Sequence, residues 1–210
     1  MKIAVLGTGR VGGTLGHRWA EKGHYVVFGS RNPATPKVQQ LVSGSEGRLQ
    51  ATDIRSAVAP AHVVLLAVPW QSAQACIEKA GDLAGKVLID CTNPLNSQFD
   101  GLDLGFTTSG SERIAQWAQG AKVVKAFNTV SAATMADPAY GEQQATMFYC
   151  GDDVQAKAVV HQLAEDLGLE PVDAGPLYIA RHLEPLAMLY IHLANRKGWG
   201  SNCAFKIMKR

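Results

Sequence analysis

Short apolar runs alternate along the chain with segments whose apolar residues recur at helical spacing. Residues 3–6 form the first run, and a helical pattern through Leu15, Trp19 and Ala20 follows it. Residues 25–28 form a second strand, 37–42 a short helix and 48–51 a short strand. Residues 63–68 are apolar without interruption, as expected of a central parallel strand buried on both faces, and Pro69 stops them. A helix over 71–79 and a strand over 86–91 follow. The segment 92–110 is rich in Asn, Pro, Gly and Ser and reads as a long loop of the kind that often carries function. Ser109 with Glu112 makes a capping box that opens a helix over 113–118, and 122–127 is a sixth strand. Strands over 145–150 and 170–173 flank a helix over 154–167, extending the same sheet. The alternation predicts an α/β fold with a doubly wound, mostly parallel sheet.

The turn after the first strand sharpens this picture. Gly7-x-Gly9-x-x-Gly12 lies between a strand and a helix start, the required context of a dinucleotide fingerprint. Gly7 permits the turn, Gly9 lets the backbone approach a pyrophosphate, and Gly12 lets helix and strand pack closely. The helix N-terminus offers free N–H groups to that anion. The sheet is therefore expected to be Rossmann-type. The residue that reads the adenine ribose lies about twenty positions further on and is acidic for NAD. Here Ser30 and Arg31 stand there. A guanidinium makes charge-assisted bonds to a 2′-phosphate, so the expected cofactor is NADP, with Lys37 and Arg10 as further phosphate partners.

Composition limits the alternatives. A chain of 210 residues fits one domain, a dinucleotide-binding core over 1–138 and an extension over 139–210 that covers the acceptor and makes a dimer contact. The net charge of +2 points neither to nucleic acid nor to an anionic membrane. No signal peptide and no membrane-spanning run is visible, so a soluble cytoplasmic protein is expected. Cys76, Cys91, Cys150 and Cys203 lack metal spacing and read as free thiols, most of them buried, and the six histidines form no HxxxH pair. No metal site is expected. Gly175-Pro176 precedes a final helix running to about Asn195 that is apolar nearly all round (Leu183, Leu186, Met188, Leu189, Ile191). Such a helix must be buried, across the substrate cleft or against a second subunit.

Ligands of open α/β sheets bind beyond the carboxyl ends of the strands. Those ends add Val68, Pro69, Trp70, Asn93 and Asn128 to a cofactor-binding set of Gly7, Thr8, Gly9, Arg10, Val11, Gly12, Ser30, Arg31 and Lys37. Trp70 stacks near a ring or plugs the sheet end; Asn93 and Asn128 bond the carboxamide or ribose, or serve as turn residues. No Tyr-x-x-x-Lys pair is present, and His182 and Glu184 at the start of the last helix read as surface or capping groups. No catalytic acid is named. Hydride transfer between two flat rings needs positioning instead, with reacting carbons about 3–3.5 Å apart, and Trp70, Asn128, Val130 and Ser131 are the positioning candidates.

Beyond the glycine turn, several stretches resemble the NADPH-dependent reductases of the deazaflavin coenzyme F420, to which the cytoplasmic ferric-reductase domains of six-transmembrane metalloreductases are related. They are Gly29-Ser30-Arg31, Val68-Pro69-Trp70, Ser111-Glu112-Arg113, Lys122-Val123-Val124-Lys125-Ala126, Cys150-Gly151-Asp152-Asp153 and Asp173-Ala174-Gly175-Pro176-Leu177. The resemblance implies a homodimer with NADP on Thr8, Gly9, Arg10, Ser30 and Arg31. It also implies hydride transfer to a deazaflavin or flavin ring over the 128–131 loop. Archaeal members carry His-Thr-x-Pro where this chain has Asn128-Thr129-Val130-Ser131, a change on the acceptor side that leaves the NADP half untouched. Two alternatives stand beside F420 reduction: an NADPH-dependent flavin or ferric reductase, and a non-catalytic NADP sensor.

Overall fold

Strand β1 (Lys2–Leu6) is the centre from which the sheet grows in both directions. On one side it pairs in parallel with β2 (Tyr25–Gly29), which pairs with β3 (Leu49–Thr52). On the other side follow β4 (Val63–Leu66), β5 (Val87–Asp90) and β6 (Lys122–Ala126), all parallel. The computed structural model describes every residue except Glu46 and Lys209. The order reverses between β1 and β4, and that switch point places a crevice at the carboxyl ends of these two strands.

The strands are apolar on both faces because helices cover both. Alternate β1 residues point to opposite sides. Ile3 and Val5 meet Leu15 and Trp19 of α1 (Arg10–Glu21) together with Val160 and Leu163 of a later helix. Ala4 and Leu6 meet α3 (Ile54–Val58), α4 (Ala73–Ala80) and α5 (Gly110–Trp117), whose first in chain order is preceded by α2 (Pro36–Val42). The Trp19 indole, fully buried, donates to the Leu163 carbonyl at 3.0 Å, which satisfies its one polar atom.

Past β6 come α6 (Ala132–Ala136) and a small hairpin of β7 (Ala139–Tyr140) and β8 (Gln143–Gln144). Strand β9 (Thr146–Gly151) then pairs antiparallel with β6, and β10 (Glu170–Asp173), reached through α7 (Val154–Glu165), pairs parallel with β9. The expected Rossmann-type α/β sheet, mostly parallel, is therefore present with eight strands. The sequence pattern did not anticipate α3, α6 or the hairpin, which are too short to show periodicity.

In the single chain the last helix, α8 (Ala180–Ile191), is covered on one side only. It is not buried all round. Ala180, Leu183, Glu184 and Ala187 face inward, whereas Leu189 is 49% exposed. Pro185 lies inside the helix, in its second turn, where it removes the N–H that would bond the Arg181 carbonyl.

Candidate functional site

The glycine turn has the geometry its three glycines were expected to need. Gly7 adopts φ 125°, and a Cβ there would stand 2.2 Å from the Ala67 carbonyl at the end of β4. A Cβ on Gly12 would stand 2.1 Å from the Gly7 carbonyl, so helix and turn could not pack. Around Gly9 nothing lies within 4 Å of the Cβ position, leaving the backbone open to a ligand. Gly9 is also the N-cap of α1; no side chain caps the helix and its first turn holds no acid. The free amides and the helix dipole thus face open space, a ready site for a phosphate oxygen.

A cavity of about 530 Å³ runs from this turn along the switch point. Thr8 and Gly9 line it, then Ser30, Arg31 and Lys37 after β2, and Val68 and Pro69 after β4. Ile54, Ala75, Cys76 and Lys79 close one end. The lining contains three cations, Arg31, Lys37 and Lys79, and no carboxylate. Among the described residues none of them, nor Arg10, takes part in an ion pair. Unpaired guanidinium and ammonium groups around one concavity favour an anion with several phosphates, and the absent acid removes what would repel a 2′-phosphate. The cavity therefore suits NADP. Lys79 escaped the sequence reading because no motif marks it; it lies one helical turn after Cys76. Burial pushes the Cys76 thiol up to about 11, against the opposing charges of Lys79 and Arg31.

Other predicted residues sit elsewhere. Trp70 packs on Trp117 with ring centroids 5.4 Å apart, and Gly110 leaves room for its ring. Asn128 and Asn93 are joined: Asn128 Nδ2 donates to Asn93 Oδ1 and to the Leu183 carbonyl, both at 3.0 Å. Among the described residues, Asn128 Oδ1 and Thr129 Oγ1 are buried without partners. Phe127 turns the chain into this loop at φ 63°, a conformation costly for a bulky residue and held by its edge-to-face packing on Trp19. Val130 is buried. Ser131 caps α6 by accepting from the Thr134 amide at 3.0 Å and donates to the Ser201 carbonyl at 2.7 Å.

Beneath the loops lies a charged cluster that the sequence did not reveal. Lys125 on β6 is fully buried and reaches Asp90 on β5 at 2.7 Å, Glu184 on α8 at 2.9 Å and the Thr92 carbonyl at 2.6 Å. Asp90 also accepts from the Thr92 amide at 2.8 Å and from the Ser111 hydroxyl at 2.5 Å. Glu184 accepts from the Gly110 and Ser111 amides at 2.9 and 3.1 Å. Burial opposes the Lys125 charge, but Asp90 and Glu184 outweigh it and push the ammonium's pKa above its ordinary value. Glu184 is thus no surface group: it caps α5 from another helix, whereas His182 stays exposed. The cluster fixes the start of the Thr92–Asn93 loop and draws α8 over the strand ends.

Comparison with known proteins agrees with this geometry. Residues 2–94 match the family described as NADP oxidoreductase, coenzyme F420-dependent. An F420-dependent NADP reductase of Methanothermobacter marburgensis is 34% identical over 208 residues, covering 92% of each chain. Metalloreductase STEAP3 of Rattus norvegicus is 34% identical over 191 residues; the match takes 90% of this chain but only 37% of that longer protein. In three dimensions, a protein of Arthrobacter sp. FB24 provisionally described as an F420-dependent NADP-reductase superposes with a TM-score of 0.91 over 100% of both chains at 34% identity. Membership of an oxidoreductase family sets the sensor alternative aside. The chain belongs to the coenzyme F420-dependent NADP oxidoreductase family and is an NADP-dependent enzyme.

Proposed function

We propose that this enzyme moves a hydride between NADP(H) and a flavin-like ring, most favourably the deazaflavin coenzyme F420. One observation carries the reading: the cavity that suits NADP reaches Val68, Pro69 and Gln71 with no Tyr, His, Asp or Glu in its lining, and its Lys37, Lys79 and Cys76 lie with Arg31 on the phosphate side. A carbonyl reduction needs a general acid there, whereas ring-to-ring transfer needs only alignment. Bound NADPH supplies the hydride from its nicotinamide. The chain's part is to hold it. The α1 amides take the pyrophosphate, and Ser30, Arg31 and Lys37 take the adenosine 2′-phosphate. Asn93 and Asn128, braced by Leu183, set the far wall, and the loop through Val130 and Ser131 carries the acceptor.

The same arrangement accommodates a second reading, transfer through flavin to ferric iron, which the similarity to a metalloreductase over 90% of this chain favours. The open outer face of α8, with Leu189 49% exposed, supports a homodimer built across that helix. Among the described residues no helix is long and apolar enough to cross a membrane.

Oxidation of NADPH followed at 340 nm (its usual absorbance band) separates these acceptors when F420, FMN, FAD and riboflavin are offered in parallel. Turnover with F420 alone is the expected result. Turnover with flavins alone transfers the enzyme to the flavin or ferric reductase reading.

A further inference from the structure

Helix α4 turns one face to the NADP-suited cavity. Ser72 at its start and Ala75, Cys76 and Lys79 within it line that cavity, and their spacing puts all four on a single stripe. The first three side chains are short, and Lys79 carries the stripe's one charge. From the other side of the crevice Ser30 and Arg31, which follow β2, line the same cavity. Cys76 marks where the two walls meet. Its thiol feels the positive charges of both Lys79 and Arg31, which oppose the effect of its burial. An ammonium from α4 and a guanidinium from the β2 side therefore converge on one end of the cavity.

No acid answers the Lys79 charge. The cavity lining holds no carboxylate, and among the described residues Lys79 makes no ion pair. Glu78, its chain neighbour, lies outside the lining and accepts from the Gln74 amide at 3.1 Å. Asp53 is taken up at the start of α3 by the Ser56 amide at 3.0 Å, and Asp82 by the Ala84 amide at 2.9 Å. Lys79 also stands in the last turn of α4, where a cation suits the helix dipole. That role alone does not require a side chain that lines the cavity beside Arg31.

We infer that Lys79 grips the adenosine 2′-phosphate from the wall facing Arg31 and is a further residue that selects NADPH over NADH. The inference rests on the 2′-phosphate placement in the proposed function. A bidentate guanidinium engages two of a phosphate's three terminal oxygens and leaves the third for an ammonium. The flexible lysine stem lets that ammonium reach it from the second wall.

Calorimetric titration with adenosine 2′,5′-bisphosphate and with 5′-AMP tests it, since the two probes differ only in the 2′-phosphate and need no hydride acceptor. The wild type should hold the bisphosphate about a hundredfold more tightly. Lys79 is exposed, so its substitution is expected to leave the chain folded. Lys79→Gln should cut the ratio about tenfold while 5′-AMP stays within about twofold. Lys79→Glu should cut it further, and Lys79→Arg should keep most of it. Thermal melts run alongside: lower stability with an unchanged ratio is what a helix-dipole role alone produces. A full ratio in Lys79→Gln, or equal weakening of both probes, overturns the inference and leaves the 2′-phosphate placement at Arg31 standing. A wild type that holds both probes equally overturns that placement itself, and the inference with it.

Discussion

The Lys125 ammonium lies 2.9 Å from the Glu184 carboxylate, with both side chains sealed from solvent beneath the site. The contact joins β6 to α8, and through Asp90 it also holds β5. Removing one member strands a charge in a low-dielectric interior. Lys125→Met leaves two carboxylates facing each other and should cost about 3–5 kcal/mol of stability. Glu184→Gln should cost less but not nothing. Its amide NH2 must face a donor either way, since Oε1 accepts from Lys125 and Ser111 and Oε2 from Gly110. Denaturant titration at neutral pH measures both; midpoints equal to the wild type would show the cluster to be energetically idle. Because the ammonium's pKa is raised above the ordinary 10.5, its contribution is intact through neutral pH and is lost only in strong alkali.

Arg31 is exposed and unpaired among the described residues, so its loss should leave stability unchanged. Arg31→Ala is expected to weaken NADPH by one to three powers of ten, since each charge-assisted bond is worth about 1.5–3 kcal/mol. NADH should change little. Titration of both cofactors by fluorescence decides it, and equal losses would sink the 2′-phosphate assignment.

Two of the turn glycines predict opposite failures. Gly12→Ala drives a Cβ into the Gly7 carbonyl and should lower stability by about 1–3 kcal/mol or more. Gly9→Ala meets no protein atom, so the fold should melt as before while NADPH affinity drops at least about tenfold. Thermal melts paired with binding curves separate the two, and full NADPH affinity in Gly9→Ala would show that the backbone there does not approach the ligand.

Glu112 receives two bonds from Arg181, at 2.6 and 2.9 Å, clasping α5 to α8. Those bonds hold its carboxyl below the ordinary 4.5, against a smaller penalty from burial. A depressed folded pKa means that the unfolded chain takes the proton first as acid is added. The clasp's stability is therefore whole above about pH 4.5 and drains as the pH falls through the lower folded value. Arg181→Met should flatten this acid limb in unfolding midpoints measured from neutral pH downwards. An acid limb as steep as in the wild type would contradict it.

The glycine turn and the basic residues after β2 that share its cavity were legible because they are local. Gly7, Gly9, Gly12, Ser30 and Arg31 sit at the ends of adjacent strands, and their spacing carries the chemistry. The sheet's strands were legible for the same reason: apolar runs of one strand's length need helices on both faces. The antiparallel direction of β9 left no such mark, since a buried strand reads alike in either direction. Nor did the placement of Asn128. It depends on a left-handed turn at Phe127, a buried residue packed edge-to-face on Trp19.

The sequence by itself determined the α/β pattern, the glycine turn and the basic residues that follow the second strand, because each follows from neighbours along the chain. Only the tertiary structure decided that Asp90, Lys125 and Glu184 share one buried cluster and that Trp70 packs on Trp117. These pairings join residues far apart in sequence, and their energies come from exclusion of water, which no linear spacing records.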